Sequence, residues 1–118
     1  MREVVSFIRQ YPELFNERAD WFVANWHVVL AFERITLGLI QSGRKHYSSR
    51  TILEVLRHET LLRGQPDSFK LNNNAAPDLA RAFAVLHPEH VDFWEYRRAN
   101  HPLFKEAIFE LANLTFLE

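Results

Sequence analysis

The stretch Trp21 to Gln41, WFVANWHVVLAFERITLGLIQ, sets the fold class. Phe22, Trp26, Val29, Leu30, Ile35, Leu37 and Ile40 place apolar side chains round most of a helical circumference, and a helix greasy on nearly every side belongs in the middle of a bundle. Asp20 is positioned to cap its start. Ser42-Gly43 ends it in the usual way, because Gly takes the left-handed conformation past a helix C-terminus without steric cost. The stretch is long enough to raise the question of a membrane span, but His27, Glu33 and Arg34 interrupt it, so it reads as a core helix. His27 reads as a satisfied core histidine.

Outward from this segment the pattern stays helical. Val4, Val5 and Ile8 predict a helix from Arg2 to about Arg9, ended by Tyr11-Pro12, and Glu13 to Glu17 form a short second helix or an extension into the long one. Beyond Gly43, Arg44-Lys45-His46-Tyr47 is a basic connector. Ser48 or Ser49 caps a helix from about Arg50 to Leu62 with Ile52, Leu53, Val55, Leu56 and Leu61 as its buried stripe. Gly64-Gln65-Pro66-Asp67 is a turn, and Phe69-Lys70-Leu71 is the one candidate for a short extended segment. Asn74 caps the next helix, with Pro77 in its first turn, Leu79, Ala80, Phe83, Ala84 and Leu86 inward, and Pro88 closing it. A short helix covers about Val91 to Arg98. Pro102 opens the last, in which Leu103, Phe104, Ala107, Ile108, Leu111, Leu114 and Phe116 recur at helical spacing. The expectation is an all-α bundle of five to six helices around the segment 21–41, forming one domain over residues 1–118.

Composition agrees with a globular chain of this kind. Of 118 residues 47% are hydrophobic and 25% charged, an ordinary balance that argues against disorder. Aromatics are plentiful at 14%, more than a small core must hold, which leaves some for an interface. The absence of Cys removes disulfides, zinc–thiolate sites and a cysteine nucleophile, and the N-terminus lacks the pattern of a signal peptide, so the expected location is the cytoplasm. Net charge is −1, which supplies no global attraction to nucleic acid, but it is unevenly spread. Residues 44–105 hold ten basic side chains against seven acidic, so an anionic partner would meet the middle of the chain.

No glycine-rich phosphate loop, nucleophile elbow or paired-carboxylate motif is present, and the expectation is a protein that is not an enzyme and carries no cofactor. His87 and His90, with His101 as a third candidate, lack the context that would fix a metal site. His58 and Glu59 are adjacent on one helix, face different ways and form no acid–base pair. Two other groups stand out. Arg44, Lys45 and Arg50 gather at a helix start, Asn72, Asn73 and Asn74 at the next, and Arg81 follows one turn after Pro77. Helix N-termini and Arg favour phosphate, and Asn pairs with adenine, so these seven residues suit a DNA surface. The linker from Leu62 to Asn74 is longer than the turn of a compact helix-turn-helix, and Asn triplets also serve simply as caps. Arg81 has the alternative of holding an acidic partner. The second group, Trp94, Tyr96, Arg97 and Arg98, has the composition of a protein-interface anchor, suited to a host protein. The apolar last helix also offers a homodimer contact.

Tyr47-Ser48-Ser49-Arg50-Thr51-Ile52, then Phe69-Lys70-Leu71-Asn72-Asn73-Asn74, Pro77-Asp78-Leu79-Ala80-Arg81 and Phe93-Trp94-Glu95-Tyr96-Arg97 form a pattern that resembles a scattered group of short bacterial and phage-borne proteins of unassigned function. It spans roughly residues 25–98. The resemblance implies a phage or mobile-element origin and brings no catalytic residues. The functional expectation is a small DNA-binding regulator of phage or prophage type, with a phage-encoded inhibitor or accessory factor acting on a host protein complex as the alternative.

Overall fold

Val4, Phe7 and Ile8 recur at helical spacing and form the buried face of α1 (Arg2–Gln10). Tyr11 leaves the helical region, which the following Pro12 disfavours, and Pro12–Leu14 makes a single 3-10 turn. The computed structural model describes residues 1–62, 75–94 and 100–117. The turn expected at 64–67, the extended segment expected at 69–71 and the Asn74 cap lie outside them.

The helix expected over 21–41 is two helices, α2 (Ala19–Ala24) and α3 (Trp26–Gln41), separated at Asn25. The backbone N–H and the Nδ2 of Asn25 both donate to the Trp21 carbonyl at 2.9 Å, while its own carbonyl accepts from Val28 at 2.9 Å. Asn satisfies local backbone groups in this way better than it continues a helix. Asp20 is inside the first turn of α2 and Arg18 holds the cap position, with no side-chain bond there. Asp20 therefore acts through the positive end of the helix dipole and not as a cap.

The start of α4 (Ser49–Leu62) is marked by the Ser48 carbonyl, which accepts from Thr51 at 3.2 Å and Ile52 at 3.4 Å. Ile52, Leu53 and Leu56 are buried, whereas Val55, expected in the same stripe, falls at its edge and is 42% exposed. Helix α5 (Ala75–Leu86) is buried from Ala75 to Val85 apart from half-buried Pro77. Its alanines admit close neighbours, and α1, α3, α4 and the 3-10 turn Pro88–Phe93 all pack on it. This is the helix at the centre. Helix α3 takes a flanking place, burying Val28, Val29, Phe32 and Thr36 and exposing His27, Leu30 and Arg34, so His27 is a surface residue. Helix α6 (Asn100–Leu117) begins two residues before Pro102, a position that tolerates proline, and buries Phe104, Ala107 and Ile108.

Rings knit these elements together. Phe7 meets Phe15 and Phe104 edge-on at 6.0 Å, and Trp94 meets Phe32 at 5.3 Å and Phe83 at 6.0 Å. One parallel backbone bridge, Tyr47 with Trp94, is the β-type pairing among the described residues.

The end of α3 carries the most specific local geometry. Gly43 N–H donates to Ile40 O at 3.0 Å and Arg44 N–H to Leu39 O at 3.1 Å, the paired bonds of a Schellman motif, with Gly43 at φ 98°. A Cβ on Gly43 would touch nothing within 4 Å, so Gly43→Ala meets only the left-handed backbone penalty of about 1–2 kcal/mol. Gly38, inside α3 with equally open space, gains up to about 1 kcal/mol on replacement by Ala. Urea unfolding of the two variants should move in opposite directions, and shifts of the same sign would contradict this reading.

Candidate functional site

The Schellman turn releases the chain into a short exposed connector. Arg44, Lys45 and His46 are exposed and lie outside any helix. Tyr47 is half-buried and fixes the connector to the core: its N–H donates to Phe93 O at 3.3 Å, and the Arg44 guanidinium sits 5.7 Å from its ring centroid. Arg50 is exposed in the first turn of α4, a turn with no acidic residue. Three cations thus fall within seven residues, at the positive end of a 14-residue helix. Arg34, Arg57 and Lys105 each face a carboxylate, namely Glu59, Glu54 and Asp92. Among the described residues no salt bridge engages Arg44, Lys45 or Arg50, and all three are exposed.

The other expected site residues are placed differently. Arg81 is buried, 8% exposed, with its guanidinium carbon 5.9 Å from the Phe104 ring centroid and its charge acting on Asp78 three residues earlier. It does not join the connector surface, because α5 is enclosed on all sides. Asp78 is the acidic neighbour that the alternative reading of Arg81 asked for. Asn72, Asn73 and Asn74 lie outside the described residues, as do Tyr96, Arg97 and Arg98. Trp94 is 4% exposed and packed among Phe32, Phe83 and Phe93, so it is core and offers no ring to a partner.

Two polar arrangements escaped the sequence reading. His87, just past α5, holds Glu33 of α3 with Nε2 and Oε2 2.8 Å apart, its Nδ1 lies 3.5 Å from Glu89 Oε1, and its ring packs on Phe83 at 4.9 Å. This ties the middle of α3 to the end of α5 through two residues 54 apart in sequence. Among the described residues no three His, Asp or Glu side chains are placed to hold a metal ion. The side chain of His101 is outside that set.

The second arrangement is Asp78, which is completely buried. The backbone N–H of Asn16 donates to its Oδ1 at 2.9 Å, and that of Glu17 to Oδ2 at 2.7 Å. Burial outweighs these two donors and Arg81, raising its pKa from 3.8 to about 6, with Glu17 adding a small push in the same direction. The clue was present in the sequence: Asp78 and Arg81 are the only charges in the otherwise apolar run 75–86.

No family model, curated protein or solved structure matches this chain. Among the described residues no helix is long and apolar enough to cross a membrane.

Proposed function

We propose that the protein is a small nucleic-acid-binding protein, a regulator of phage or prophage type, that grips the phosphate backbone of DNA with the connector 43–50. The observation that carries this reading is the exposure of Arg44, Lys45 and Arg50, which no salt bridge among the described residues engages, on a segment tied to the core through Tyr47. Cations facing water keep their full attraction for a polyanion and release condensed counterions when they bind it. Phosphate contacts of this kind position a protein without reading sequence. Base contacts belong to Asn72, Asn73 and Asn74 in this proposal, and Arg81 has no part in them. The protein-partner alternative loses Trp94, which is in the core, and rests on Tyr96, Arg97 and Arg98.

The double variant Arg44→Glu/Lys45→Glu tests the surface. Both side chains are exposed, so the melting temperature should hold. Affinity for duplex DNA at low salt should fall at least roughly tenfold, and its salt dependence should flatten by about two counterions. Unchanged affinity in a folded variant would place the binding surface elsewhere.

A further inference from the structure

We propose that Tyr47 is the positioning residue of the connector: its ring holds the Arg44 guanidinium in place before any phosphate arrives, so that this cation binds already ordered. The inference rests on the phosphate-binding reading of the connector and adds to it a residue that touches no phosphate itself. Tyr47 suits the task because it is itself fixed. It packs half-buried against the core, its N–H donates to Phe93 O at 3.3 Å, and its backbone pairs in parallel with that of Trp94, which is 4% exposed. The Arg44 guanidinium carbon sits over the ring, 5.7 Å from its centroid.

An aromatic face attracts a cation within about 6 Å and uses none of its N–H donors, so the guanidinium keeps its fork for a phosphate. A long side chain that is ordered beforehand loses less rotamer freedom on binding than a free one, and the difference appears as affinity. Lys45 and Arg50 sit over no ring among the described residues. The three cations of the connector are therefore equal in charge and unequal in order, and Arg44 is the one prepared.

The test is a double-mutant cycle in affinity for duplex DNA at one low salt concentration, with Tyr47→Leu removing the aromatic face while keeping apolar bulk. Tyr47→Leu should weaken binding roughly three- to tenfold, and Tyr47→Phe should bind as the wild type does. The slope of log affinity against log salt should not change, since every cation remains. In an Arg44→Ala background Tyr47→Leu should cost nothing more, whereas in a Lys45→Ala background it should cost its full amount. A ring that served the fold alone would cost the same in both. In the free protein the Arg44 side-chain protons should carry ring-current shifts that vanish in Tyr47→Leu and persist in Tyr47→Phe. Should Tyr47→Leu not fold, the two exposed single variants decide: Arg44→Ala should weaken binding more than Lys45→Ala, although each removes one charge. Equal costs in the two backgrounds, or Arg44 shifts at random-coil values in the wild type, would overturn the proposal. No binding by the wild type would sink the connector reading and this proposal with it. Strong, salt-dependent binding that is indifferent to Tyr47→Leu would sink this proposal alone.

Discussion

Trp94→Ala should lower the unfolding free energy by about 3–5 kcal/mol. The ring is 4% exposed and wedged between Phe32 of α3, Phe83 of α5 and its neighbour Phe93, with centroids 5.3, 6.0 and 4.8 Å away. Truncation leaves a cavity where three elements meet, and the surrounding rings are too stiff to collapse into it. A loss of that size is a large share of the roughly 5–15 kcal/mol that holds a domain together. The indole Nε1 has no hydrogen-bond partner among the described residues, so it adds no stabilisation to be lost. Trp94→Phe should accordingly cost far less, because it refills most of the volume and removes a buried donor that is itself unfavourable. Urea unfolding of both variants checks this. A loss below about 1 kcal/mol for Trp94→Ala would mean that the ring is not core, and would return it to the interface role its composition suggested.

Phe104→Ala should cost a similar amount, about 3–5 kcal/mol, and should act first on the attachment of α6. Phe104 is completely buried, meets Phe7 of α1 edge-on at 6.0 Å, and lies beneath the Arg81 guanidinium at 5.9 Å. Its removal deletes apolar contact on one side and cation–π contact on the other, leaving Arg81 buried beside a void. Hydrogen exchange should show the amides around Ala107 and Ile108 losing protection before those of Ile52 and Leu53. Equal loss everywhere would show that α6 does not open as a separate unit.

Helical period was readable because it is local. Val4 and Ile8, or Leu79, Ala80 and Phe83, declare a buried face through spacing alone, though Phe7 and not the expected Val5 completes the first, and Ser42-Gly43 declared the end of α3 through the conformation that Gly permits. The break at Asn25 was not declared, since it depends on one amide side chain choosing the Trp21 carbonyl over helix continuation. Apolar content also misdirected the choice of centre. The residues of 21–41 are larger and greasier than those of α5, but a helix rich in alanine can be enclosed on every side, whereas bulky Leu30 is left on the surface. At the site, Arg44, Lys45 and Arg50 were visible as a run of charge. The burial of Arg81 and Trp94 was not, because both residue types serve surface and core, and only tertiary packing assigns them. The Glu33–His87 tie and the bond from Asn16 to Asp78 join residues more than fifty positions apart, beyond the reach of any periodicity.

The central claim is that the connector 43–50 binds a polyanion, and a salt series tests it most directly. Wild-type protein is titrated against a mixed pool of duplex DNA at several salt concentrations between 50 and 200 mM. Three phosphate contacts predict a slope of about −2.7 in log affinity against log salt, which is a loss of roughly fortyfold across that range. Absence of binding even at the lowest salt, or binding indifferent to salt, would contradict the claim.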